Sequence, residues 1–192
     1  MSEEIYHRIA ITGDPGSGKS TFARAVSELT GYRLITTGNI FRTLAAEKGI
    51  SLTELNEMAE SQAEIDHLVD DFLKTLNDQK ENLILDSRMA WFFVDNALKI
   101  RLTVDPEVAV HRIFKDGAEL REKFPDLKTA MDEVERRRKS EILRYKTLYG
   151  VDISAEENFD LVINTSFKEP RDVTSEFEKA FSVYKAQFPV TR

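Results

Sequence analysis

The feature that most constrains this chain is the octapeptide Gly13-Asp14-Pro15-Gly16-Ser17-Gly18-Lys19-Ser20, which satisfies G-x-x-x-x-G-K-[ST] at every fixed position. An apolar run at residues 5–12 precedes it and reads as a buried strand. A helix-forming stretch at about 19–30 follows, with Gly31 placed for a helix C-cap. Glycines let the backbone curl until successive N–H groups point inward as an anion nest. The start of the helix adds its positive end to that nest. The spacing therefore nominates Gly13, Asp14, Pro15, Gly16, Ser17, Gly18, Lys19, Ser20 and Thr21 as the cradle for the phosphates of ATP. Lys19 is expected to reach the β- and γ-phosphates and Ser20 to ligate Mg²⁺.

The rest of the chain supplies the sheet that such a loop needs. Residues 32–36, 82–86, 98–104 and 159–164 read as further strands. Helical patterns occupy about 39–77, from Pro106, about 127–149 with Gly150 closing it, and 170–188. The first of these is broken near Gly49 and Ile50, where Ser51 and Glu54 suit a capping box. Residues 115–126 are charged and irregular. Short apolar strands alternating with helices predict a doubly wound α/β domain with a five-stranded parallel sheet. The 192 residues suit one domain spanning 1–192.

Composition narrows the partners. A net charge of −7 argues against a general binder of nucleic acid or anionic membrane. The chain has no cysteine, and its N-terminus, Met1-Ser2-Glu3-Glu4, is acidic where a signal peptide would be basic. A cytoplasmic location is expected.

Asp86 ends an apolar strand, Leu83-Ile84-Leu85, and a strand beside a phosphate loop delivers an acid to the metal and its waters. Asp86 and Ser20 are thus the expected metal set. No N-K-x-D guanine motif occurs. Thr36-Thr37-Gly38-Asn39-Ile40-Phe41-Arg42 follows the second strand, and Arg137, Glu141 and Arg144 fall on one face of the long helix. Arginine forks bind phosphate bidentately, and a carboxylate between them can accept from sugar hydroxyls or a base amine. On spacing alone, the run Arg136-Arg137-Arg138-Lys139 reads first as a solvated basic face.

These segments together resemble the cytidylate kinases, above all the compact type of archaea and some bacteria. The resemblance runs from the first strand to Asn164-Thr165-Ser166. It rests on the phosphate loop, Thr37-Gly38-Asn39-Ile40-Phe41-Arg42, Asp86-Ser87-Arg88, residues 138–145 and Tyr149-Gly150-Val151-Asp152. It implies a P-loop three-layer α/β/α fold and ATP-dependent phosphorylation of CMP, with dCMP as a further candidate acceptor. By position, the resemblance makes Thr37 and Arg88 contacts of the base and Arg42 a holder of the acceptor phosphate. Arg112 matches a phosphate-contacting arginine near the lid, Arg137 and Glu141 match phosphate and sugar contacts, and Arg144 matches another acceptor-site arginine. Residues 38–79 match the segment that closes over the monophosphate and 115–146 the lid. Ser87 replaces the family's usual glycine, and Met89-Ala90-Trp91 departs from its usual length.

Phosphoryl transfer to a phosphate oxygen needs no strong base, so Lys19, Arg112, Arg137 and Arg144 are expected to act by neutralising charge. A monomer is expected. Rival readings are a kinase of another small acceptor (AMP, UMP, a sugar acid or shikimate) and a nucleotide-binding module without transferase activity. Trp91 reads as a core or hinge residue, His7, His67 and His111 lack metal spacing, and the acidic stretch 66–71 receives no role.

Overall fold

The computed structural model describes residues 5–50, 55, 58, 59, 63–116 and 126–189, with side chains described for all of these but Phe41, Ala63, Asp116, Glu133 and Arg137. Five strands form one parallel sheet: β1 Arg8–Gly13, β2 Arg33–Thr36, β3 Leu83–Asp86, β4 Ala97–Thr103 and β5 Leu161–Asn164, in the order β2-β3-β1-β4-β5. The helices are α1 Lys19–Thr30, α2 Thr37–Lys48, α3 Ala63–Thr75, α4 Ala90–Phe93, α5 Pro106–Asp116, α6 Leu127–Tyr149 and α7 Pro170–Gln187.

Alternation along β1 sorts the core into two layers. Ile9 and Ile11 pack with Phe22 and Val26 of α1 and Phe177 of α7 on one face. Ala10 faces Val69 and Leu73 of α3, Trp91 of α4 and Tyr145 of α6 on the other. Strands covered on both faces read as continuous apolar runs, which is why they were visible in the sequence. All strands being parallel, Gly13, Thr36, Asp86, Thr103 and Asn164 end at one edge of the sheet, where α/β proteins bind ligands.

The elements follow the expected order with shifted ends. Gly31, Gly49 and Gly150 close α1, α2 and α6 in the left-handed conformation at φ 72°, 67° and 71°. Asp126 caps α6 by accepting from the Thr129 N–H at 2.7 Å. The Ser51–Glu54 capping box and most of the irregular charged stretch lie outside the described residues. The short helix α4 was not anticipated; four residues are too few for a periodic signal. Trp91, at its second position, is buried and donates its indole N–H to the Arg88 carbonyl at 2.9 Å, so it belongs to the core, as read.

Candidate active site

The turn from β1 into α1 is shaped by glycine where nothing else fits. A Cβ on Gly16, at φ 76°, would sit 2.8 Å from the Ala109 carbonyl of α5, and one on Gly13 would sit 2.8 Å from both the Leu102 carbonyl and Ser17 Oγ. Asp14 N–H donates to Leu102 O at 3.0 Å and Ser17 N–H to Asp14 O at 3.1 Å, which fixes the curl. The Asp14 carboxylate is engaged by β4. It accepts from Arg101 Nη2 at 2.8 Å, and the same guanidinium donates to the Ile153 carbonyl at 2.7 Å.

Lys19, Ser20, Thr37 and Asp86 meet where β1, β2 and β3 end. The Asp86 carboxylate is buried, paired with the Lys19 ammonium, and accepts from Ser20 Oγ at 3.1 Å. Thr37 Oγ1 donates to the Asp86 carbonyl at 3.4 Å. A hydroxyl beside a carboxylate is an oxygen-only donor set, which suits a hard cation such as Mg²⁺. No group of three or more metal-ligating side chains occurs among the described residues. Mg²⁺ takes one or two protein oxygens and completes its shell with water and substrate phosphates.

A cavity opens beside the loop, with Gly13, Asp14, Arg88, Arg101, Arg138 and Glu141 in its wall. Arg88 grips Glu141 in a two-point pair, Nε to Oε2 at 3.0 Å and Nη2 to Oε1 at 3.3 Å, and also donates to the Gly13 carbonyl. The structure thus unites Arg88, Glu141 and the loop, which the sequence nominated separately. Arg42 pairs with Asn39 one turn back on α2. Arg112 binds the Gly16 carbonyl at 3.3 Å, Thr165 Oγ1 at 3.1 Å and the Thr165 carbonyl at 2.7 Å, fastening the loop to the end of β5. Arg144 turns toward α3, with Nη2 donating to Tyr145 Oη at 3.1 Å and Nε 3.5 Å from Asp66. Arg137 lies on α6, but its side chain is outside the described set.

Sequence reasoning missed Arg101, Arg138, Asp66 and Asp70. A signal existed for Arg101: a charge in the middle of a strand otherwise fit for burial on both faces.

Known proteins resemble this chain over most of its length. A family model described as an AAA domain matches residues 9–144. A cytidylate kinase of Archaeoglobus fulgidus is 36% identical over 179 residues, covering 93% of this chain and 96% of its own. A cytidylate kinase of Methanothrix thermoacetophila is 39% identical over 167 residues, covering 87% of this chain and 93% of its own. The chain belongs to the cytidylate kinases. A shikimate kinase from Bacteroides thetaiotaomicron, at TM-score 0.59 and 16% identity, covers 93% of this chain and 98% of its own and shares the fold.

Proposed function

We propose that this chain transfers the γ-phosphate of ATP to CMP, and to dCMP, giving ADP and the corresponding diphosphate. The observation that carries this reading is one loop serving two pockets. Gly13 shares a turn with Lys19 and Ser20 on one side and accepts from Arg88 on the other. Support for the acceptor comes from the cytidylate kinases of the comparison.

A phosphate oxygen of the acceptor bonds to the γ-phosphorus as the bond to the β–γ bridging oxygen breaks, and ADP leaves with that electron pair. The attacking oxygen is already anionic, so the protein's task is alignment and charge neutralisation. The loop amides hold the β- and γ-phosphates, and Lys19 leaves Asp86 to follow the charge that develops there. Ser20 and Asp86 would hold Mg²⁺, which when bound offsets phosphate charge. Arg42, Arg88, Arg137 and Arg144 orient the acceptor phosphate and base, with Thr37 on the base and Glu141 on the sugar. Arg112 steadies the loop from the lid side. Residues 38–79 and 115–146 close over the two substrates and exclude water. We assign a monomeric, cytoplasmic enzyme. No helix among the described residues is long and apolar enough to cross a membrane.

The test is an ADP-release assay with ATP and Mg²⁺, screening CMP, dCMP, UMP, AMP, GMP, shikimate and a blank. CMP and dCMP are expected to stimulate release far above the blank and the other acceptors. Stimulation by another monophosphate would overturn the base assignment, and stimulation by none of them would overturn the kinase reading. Arg42→Ala is expected to raise the CMP KM by about tenfold or more, the size of a lost hydrogen bond to a charged group, while leaving the ATP KM unchanged. An unchanged CMP KM would remove Arg42 from the pocket.

A further inference from the structure

Two carboxylates and two of their partners meet between α3 and α6, away from the phosphate loop. Asp66 and Asp70 lie four residues apart on α3, buried on the face that also carries Val69 and Leu73. Opposite them, α6 presents Arg144 and Tyr149. Arg144 Nε lies 3.5 Å from Asp66 Oδ2, and Tyr149 donates its hydroxyl to Asp70. Asp66 Oδ2 and Arg144 Nε have no hydrogen-bond partner among the described residues, although both are fully buried atoms. Such groups are nearly always satisfied, so an acceptor and a donor left open side by side call for a reason.

Arg144 supplies it. Its guanidinium is located at two points: Nη2 donates to Tyr145 Oη at 3.1 Å, and the Asp66 carboxylate draws Nε by charge alone. Glu141, one turn earlier on the same face, binds Arg88 in the cavity wall. Arg144 lies one turn beyond that wall on α6, and its Nη1 makes no hydrogen bond among the described residues.

We propose that Asp66 is a positioning residue: its carboxylate aims the Arg144 guanidinium at the acceptor phosphate while leaving donors of that group open to bind it. This rests on the function proposed above. Among the described residues Asp66 is the carboxylate nearest Arg144, and because it holds the buried Nε edge, the outer edge of the guanidinium is left for an acceptor phosphate.

The charge state of Asp66 bears on this. Burial raises its pKa to about 6, with the Arg144 charge pulling the other way. The groups that act on it are Arg144, Glu141 and, through Asp70, Tyr149 of α6, together with His67 and Asp70 of its own helix. Above pH 6 the carboxylate is charged and holds Arg144. As the pH falls through about 6 it takes up a proton and lets go.

The experiment measures CMP and ATP kinetics between pH 5 and 8 for the wild type, Asp66→Asn, Asp66→Glu, Arg144→Gln and the Asp66→Asn/Arg144→Gln double variant, each with its Tm. Asp66→Asn is expected to raise the CMP KM about tenfold at pH 8 with the ATP KM unchanged, and Asp66→Glu to restore most of it. In the Arg144→Gln background, Asp66→Asn is expected to add nothing. The acceptor phosphate titrates near pH 6 itself, but it does so in every variant. The ratio of mutant to wild-type KM should therefore shrink below pH 6. An unchanged KM in a folded Asp66→Asn enzyme, the same loss in the Arg144→Gln background, or a switch of preference to UMP would each overturn the proposal. Wild-type activity on CMP separates these outcomes from failure of the kinase reading: if CMP is not a substrate, both fall together.

Discussion

Lys19→Ala is expected to lower kcat by about three orders of magnitude, in the range seen when a preorganised positive group is removed from a phosphoryl or oxyanion transition state. Lys19 opens α1, so its backbone belongs to the turn of the loop into the helix and its ammonium is the part that alanine removes. That ammonium neutralises the buried Asp86 carboxylate. Alanine is a strong helix former and preserves the loop amides, so ATP should still bind, though more weakly. The fold should persist, because Ser20 Oγ still donates to Asp86 at 3.1 Å and Mg²⁺ can take the vacated charge position. Circular dichroism, ATP titration and single-turnover rates measure the three parts separately. A folded variant turning over near the wild-type rate would refute the mechanism.

Arg101→Met carries the largest expected effect on stability, about 3 kcal/mol or more, the usual consequence of leaving one member of a buried ion pair alone. Arg101 sits on β4 between Ile100 and Leu102 and is almost wholly buried. Removing it strands the Asp14 carboxylate and frees the Ile153 carbonyl. Because Asp14 lies inside the phosphate loop, ATP affinity should fall with stability. Asp14→Asn combined with Arg101→Met should recover much of the loss, since no uncompensated charge remains. Urea unfolding checks the prediction, and a single variant as stable as the wild type would show the pair to be incidental.

The contrast between Lys19 and Arg101 shows what could be read in advance. Lys19 was legible because its role follows from local spacing within eight residues. The five strands were legible because burial on both faces leaves unbroken apolar runs. Arg101 finds Asp14 across 87 positions of sequence, a pairing set by the β1–β4 register rather than by any local pattern. Asp66 and Asp70 read as ordinary helix-surface acids. Only the packing of α3 on α6 puts them on the buried face with Val69 and Leu73. Arg88 and Glu141 were nominated for separate duties, and their mutual grip became visible once the sheet had set the end of β3 against α6.

The Gly13 carbonyl that receives Arg88 belongs to the residue where β1 turns into the loop. On the proposed function, a single peptide group serves as a common datum for donor and acceptor, and the relative placement of the two substrates is inherited from the central strand. A lesion at this one position would misregister both halves of the reaction at once, since a side chain there meets the Leu102 carbonyl and Ser17 Oγ at 2.8 Å. Kinetically, such an enzyme would lose its affinities in tandem, as an instrument does when its zero point is moved.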